Sequence, residues 1–432
     1  MRILALWLCL ASQTALAATE NATWIVRTTM WGNNSYATLT LSDADGRLSG
    51  SLDGDKVDGE KAGDTVRFTV TDRSGNRSIF TAKATGDTMI GSTDAPDTND
   101  RAARAIHGFS ARRVPNRPNG PPRIVDFQPQ DYSNSFDPHR TPVLTIWPGD
   151  TVRTTTVDSG GVDAAGKTRA LYGNPQTGPF FVAGAQPGDT LVIRINRLKL
   201  SRDYADSLDM IVRRAQGTSL APRATALGQP VRWTIDRNKG VTSPDTQGGR
   251  LRDIALPVRP MLGGLAVAPG YDAPPISAGD TGSFGGNMDF NEVVEGNSVL
   301  LPVQQPGALL YLGDAHALQG DGEMAQYGLE TSMAVEFTVD LIKGKAINTP
   351  RVESPTQIMV LGQAGSLDEA LRSATTGMVD WLAQDYGLTP SESAQLLGSV
   401  VKLEIANLAG RSVGVAAKLD KQILARIKPS KP

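Results

Sequence analysis

The chain contains a single cysteine among its 432 residues, Cys9, and this lies within the first twenty. If that leader is removed, no thiol remains. Disulfides, thiolate-bound zinc and a cysteine nucleophile are then excluded from the mature protein. Histidine is almost as scarce, with only His107, His139 and His316. A centre of three imidazoles would consume all of them, so a mixed imidazole–carboxylate centre is easier to assemble. The formal net charge is only −2 at pH 7, so composition favours neither a nucleic acid nor a membrane surface as partner. No apolar run is long enough to span a bilayer.

The leader reads MRILALWLCLASQTALAATE. Arg2 supplies a short basic region, Ile3–Leu10 an apolar core, and Ala15-Leu16-Ala17 an A-x-A cleavage signature. The expectation is a secretory signal over residues 1–17, cleaved after Ala17, and a periplasmic or secreted protein. The residues before Cys9 do not resemble a lipoprotein box.

What is abundant is turn-forming sequence, with 45 glycines and 27 prolines spread along the chain. This suits a mainly β globular protein with many hairpins. Over 18–113 short alternating strands such as DTVRFTV, with Val66, Phe68 and Val70 on one face, predict an antiparallel meander with one buried face. RRVPNRPNGPPR places a proline-rich linker at 114–123. Residues 124–345 stay strand-rich without regular helices between strands, which predicts a β-sandwich, jelly-roll-like core. The tail, 346–432, changes to α+β. Ser366 with Glu369, and Thr389 with Glu392, have capping-box spacing, and Leu367, Ala370, Leu371, Ala374, Met378, Trp381 and Leu382 recur at helical intervals. A packing role is expected for this tail.

Two short motifs are coincidental. GVDAAGKT, 161–168, fits the P-loop pattern, but RALYGNPQTGP allows no helix after it to hold phosphates. GRSVG, 410–414, fits a nucleophile elbow, yet no histidine follows His316 to complete a triad in that order.

GALLYLGDAHALQGDGE, 307–323, is different. Read as a strand entering a turn, it projects Asp314 and His316 to the same side as a pair of metal ligands. FGGNMDFN, 284–291, offers Asn287 or Asp289 as a third ligand. Asp321 and Glu323, beyond the turn, are candidate general bases. A divalent ion, Zn²⁺ first, suits such a donor set.

Four blocks then resemble the acetamidase/formamidase family, in its order and at similar spacing over roughly 123–345: GNPQTGPFFVAGAQPGDTLVI, RPMLGGLAVAP, FGGNMDFNEVVEGNSVLLPV and GALLYLGDAHALQGDGE. The family pattern D-x-H-x-x-Q-G-D-G-E falls on Asp314, His316, Gln319, Gly320, Asp321, Gly322 and Glu323, and G-G-N-x-D falls on Gly285, Gly286, Asn287 and Asp289. Ala315 stands where many relatives have glycine. The leader, the N-terminal β region and the long tail also depart from the family pattern. The resemblance implies hydrolysis of C–N bonds other than peptide bonds, in small linear amides such as formamide and acetamide, on a β-sandwich-like core that is often homo-oligomeric. On that reading Asp289, Asp314 and His316 bind the metal. Glu323 carries the proton with Asp321 in reserve, and Asn287 and Gln319 orient the amide. Asp158 and Glu330 are further candidates for contact with the metal or substrate. The competing reading is a non-catalytic exported β-sandwich that binds a divalent cation, Ca²⁺ included, and recognises carbohydrate or peptide. The scatter of only six tryptophans and eight tyrosines weakens it.

Overall fold

The structure, a computed structural model, describes residues 20–100, 102–245, 249–270 and 273–427. The expected leader lies outside the described residues. Contacts divide the chain into two units, one ending at Asn116 and the other beginning at Arg117. The division falls within the proline-rich stretch.

The first unit has eight strands: Glu20–Met30, Asn33–Ala44, Arg47–Leu52, Asp55–Ala62, Thr65–Thr71, Arg77–Thr85, Thr88–Pro96 and Arg104–Arg113. Each pairs antiparallel with the next, as the alternation predicts. The first strand also pairs with the last, Trp24 opposite Arg113, so the expected one-faced meander is instead a closed barrel. Two-residue turns such as Asp45-Gly46 and Asp53-Gly54, all four residues at positive φ, match the twist of their flanking strands. Closure pairs the outer edges that an open meander would expose. The interior is filled: Phe68 stacks on Phe80 at 4.8 Å, and Phe109 meets both rings edge-on.

The second unit contains two large sheets. One has nine strands, in the order Lys402–Asn407, Val413–Asp420, Gln357–Ala364, Arg351–Glu353, Ser298–Pro302, Thr190–Leu200, Met333–Ile342, Thr151–Thr155 and Ile124–Asp126. The other has eleven strands and is centred on Met261–Val267 and Leu310–His316. Phe180 of the eleven-stranded sheet meets Phe337 of the other at 5.5 Å, which buries their facing surfaces. The chain is mainly β, as expected, but this is not specifically a jelly roll. A jelly roll uses about eight strands, whereas here strands of the tail extend the nine-stranded core sheet.

Within the tail, Leu367–Tyr386 is helical. Ser366 accepts from the Glu369 amide at its start, and Gly387 ends it at φ 64°. Ala370, Ala374, Met378, Trp381 and Leu382 bury its inner face. The helix Pro390–Val400 begins with the full capping box of Thr389 and Glu392. Among the described residues no helix is long and apolar enough to cross a membrane. The P-loop look-alike is a turn closed by the Val162–Thr168 bridge, with no helix after it.

Candidate active site

The site lies at the end of Leu310–His316, a strand buried along its whole length. Its neighbour Met261–Val267 is equally buried and pairs with it through Met261–His316, Leu262–Ala315 and Gly264–Gly313. Gly263 therefore sits opposite Asp314. A methyl group there would lie 2.5 Å from Asp289 Oδ1 and 2.8 Å from Asp314 Oδ2. The bare glycine backbone leaves room for the two carboxylates to converge. On the other side, Glu330 of the short strand Glu330–Thr331 pairs directly with His316. Directly opposed side chains in an antiparallel pair are close neighbours, which brings a third acidic group into reach.

Asp289, Asp314, His316, Glu323 and Glu330 are all buried. Their atoms form two overlapping groups, Asp314–His316–Glu330 and Asp289–His316–Glu323, each with donor atoms within 4.8 Å of one another. The expected ligand pair does converge: His316 Nε2 lies 3.6 Å from Asp314 Oδ1, and 3.2 Å from Glu330 Oε1. Asp289, Asp314 and Glu323 hold φ of 41°, 54° and 49°. Left-handed backbone is costly for these residue types and gathers where function needs it.

Hydrogen bonds fix the imidazole. Gln319 Nε2 donates to the Asp289 carbonyl at 2.6 Å, which turns Gln319 Oε1 toward His316 Nδ1 at 2.7 Å. Because Oε1 can only accept, Nδ1 carries the proton and Nε2 presents a lone pair. That lone pair has no hydrogen-bond partner, and neither do Asp289 Oδ1, Asp314 Oδ1 and Glu330 Oε2. An unprotonated imidazole nitrogen facing carboxylate oxygens in a dry interior is repulsive unless positive charge, a proton or a metal ion, lies between them. The donor chemistry and the four orphaned atoms fit a divalent ion.

The crowded acids make the centre attract positive charge, as a proton shared with His316 or as a metal ion that displaces it. Burial, reinforced by Asp314, raises the Asp289 carboxyl to about 8. Burial and neighbouring acids push Glu323 well above the ordinary carboxylate range and raise Glu330 as well. His316 rises well above the usual imidazole value, since Glu330 and Asp314 outweigh its desolvation.

The other expected site residues take different places. Asn287 Nδ2 donates to Asp289 Oδ2, while its Oδ1 accepts from Asn174 at 2.5 Å. With Gln319 similarly occupied, both amides are engaged with ligand residues instead of being free to orient a substrate. Asp321 is exposed and accepts from Asn291, so the structure does not bring it to the cluster. Asp158 pairs with Arg202 at 2.5 Å, and the same Arg202 nitrogen donates to the Glu330 carbonyl at 3.1 Å. Asp158 thus acts through Arg202 on the Glu330 strand.

Two asparagines were not anticipated. Asn174 Nδ2 donates to Asp314 Oδ2 at 2.9 Å; it stands in GNPQ, at the start of a block that carries the family resemblance. Asn407 comes from the tail, expected only to pack. Its Oδ1 accepts from the amides of Ala409 and Gly410, which directs Nδ2 at Asp289 Oδ2, 2.7 Å away. Asn287 and Asn407 thereby saturate one oxygen of Asp289 and leave the other without a hydrogen-bond partner.

Fold and site together define a mainly β protein with a buried imidazole–carboxylate centre suited to a cation. A model of the acetamidase/formamidase family matches residues 279–408, a stretch that contains all five clustered residues and Asn407. A putative formamidase of Schizosaccharomyces pombe is 38% identical over 72 residues, 16% of this chain and 17% of that protein. An acetamidase of Mycolicibacterium smegmatis is 43% identical over 61 residues, 14% of this chain and 15% of that one. The matched segments thus span about a sixth of these curated relatives. Solved structures match more extensively. A predicted acetamidase/formamidase from Thermoanaerobacter tengcongensis is 26% identical with a TM-score of 0.60, covering 71% of this chain and 98% of that one. An acetamidase from Yersinia enterocolitica is 28% identical with a TM-score of 0.61, covering 71% and 95%. The family read from the sequence is the one to which all three comparisons lead.

Proposed function

We propose that the chain is an exported, metal-dependent amidohydrolase that cleaves the C–N bond of small linear amides to a carboxylate and ammonia. One observation carries this reading: the bare Nε2 of His316, buried between Asp314 and Glu330. Asp314, His316 and Glu330 would hold the divalent ion, zinc being the best match for imidazole with carboxylates. The remaining expected ligand, Asp289, faces the same space through its free Oδ1. When bound, such an ion polarises a carbonyl and makes water a nucleophile near neutral pH. Glu323 lies beside Asp289, with ligand atoms of the two within 4.8 Å, and is anchored through Oε1 to the Gly328 amide at 2.7 Å. It takes the proton released by water and returns it to the departing nitrogen. Burial by the strands and loops keeps bulk water from competing for that proton.

Ammonia release from formamide and acetamide, with stoichiometric carboxylate, is the expected result for the purified chain. A tightly held cation with no turnover of any small amide would instead favour the binding-module reading. Export predicts a mature N-terminus at Ala18, read by mass spectrometry of periplasmic or culture-fluid protein.

Asn407 provides a further test. Asn407→Ala removes a donor from Asp289, and loss of such an outer partner weakens metal binding by about 10–100-fold. Asn407→Asp keeps the acceptor for Ala409 and Gly410 but sets a carboxylate against Asp289. It should weaken binding at least as much while melting closer to wild type than Asn407→Ala. Competitive chelator titration and thermal melts measure the two effects.

A further inference from the structure

The cluster is buried, so a substrate must pass a barrier, and two tyrosines join two loops that carry groups of the site. The Tyr172 and Tyr327 hydroxyls are 2.7 Å apart. Tyr172 lies two residues before Asn174, which donates to Asp314. Tyr327 immediately precedes Gly328, whose amide donates to Glu323. A methyl group on Gly328 would come 2.3 Å from His316 Nδ1, so the backbone there rests on the imidazole. Each tyrosine is thus tethered, one or two residues away, to a group of the site. Their hydroxyl contact joins the two loops outside it.

The backbones of both loops are fixed. Asn134 Nδ2 donates to the carbonyls of Leu171 and Tyr172, and the amides of Gly173 and Asn174 donate to the Ser159 carbonyl. On the other loop Gly328 is held by Glu323. What the backbone contacts leave able to turn is the Tyr172 side chain, held at its tip by the Tyr327 hydroxyl. The residue is 66% exposed, whereas Tyr327 is half-buried. Exposed side chains change rotamer in picoseconds to nanoseconds, far faster than loops rearrange.

We propose that Tyr172 and Tyr327 form the entrance gate of the amide site, Tyr172 as the moving leaf and Tyr327 as the post, and that they restrict the enzyme to amides with small acyl groups. Formamide and acetamide pass when Tyr172 swings aside. A branched or aromatic acyl group meets the two rings and the pinned backbones behind them. Both residues are specificity determinants, and neither handles the reacting atoms.

The proposal rests on the amide-hydrolase reading, and one experiment separates the two. kcat/KM is measured for formamide, acetamide, butyramide and benzamide with wild type, Tyr172→Ala, Tyr172→Phe and Tyr327→Ala. Tyr172→Ala should raise the benzamide-to-formamide ratio by about tenfold or more, the scale on which a changed pocket wall discriminates acyl size. Formamide itself should change little. Tyr172→Phe, which keeps the ring and loses only the hydroxyl contact, should shift the ratio less, and Tyr327→Ala should shift it in the same direction as Tyr172→Ala. If the alanine variants change all four amides by a common factor while formamide turnover persists, the gate is overturned and the amide reading stands. If wild type hydrolyses none of the four, the amide reading falls and the size filter with it.

Discussion

Replacing His316 with alanine should strip the chain of its bound divalent ion and lower kcat/KM for small amides by at least ~10³-fold. His316 is the only imidazole in the buried cluster and belongs to both groups of candidate ligands. Without it the carboxylates face one another around a space that one neutral ligand no longer helps to fill. The variant also leaves Gln319 Oε1 without its partner, at a stability cost of about 1–3 kcal/mol for a buried acceptor. A thermal melt therefore belongs beside the assay. A folded variant that has lost both metal and turnover supports the assignment. One that keeps both shows that the chemistry is elsewhere.

Glu323→Gln should separate proton transfer from binding. The glutamine carbonyl can still accept from Gly328, so the loop stays in place, but the side chain no longer takes a proton from water. Loss of a positioned general base costs about 10²–10⁴-fold in rate. The loss should appear in kcat, with KM and metal content near wild type. Asp321→Asn, two residues earlier, is the control. Asp321 is exposed and bound to Asn291, so this variant should retain nearly full activity. Equal losses in the two variants would mean that the structure misassigns the proton carrier.

How far these residues were readable from sequence depended on the distance the physics had to act. Asp314 and His316 are readable because strand alternation is local and places residues two apart on one side. The result stands even though Asp314 departs from regular strand geometry at φ 54°. Asp321 and Glu323 have the same spacing, yet only Glu323 turns inward, because the loop dihedrals that set their directions have no period to read. Glu330 was a minor candidate, and its place comes from cross-strand register with His316. Asn174 and Asn407 depend on tertiary docking from distant segments, which no spacing rule reports. The same division holds for the fold. Hairpins, helix caps and most of the helical face of 367–382 were legible from turn chemistry and periodicity, although Leu367 and Leu371, expected on that face, are exposed. Barrel closure and the joining of tail strands to the core sheet are pairings between distant segments.

The central claim is that amide hydrolysis depends on a divalent ion held by Asp314, His316 and Glu330. It is tested most directly by removing metal from the purified chain with a chelator and titrating zinc back against ammonia release from formamide. The account predicts an inactive apoprotein, with activity returning in proportion to bound ion and a break at a fixed whole-number ratio of ion to chain. In His316→Ala that titration should restore nothing. Full turnover by protein shown to be metal-free would contradict it.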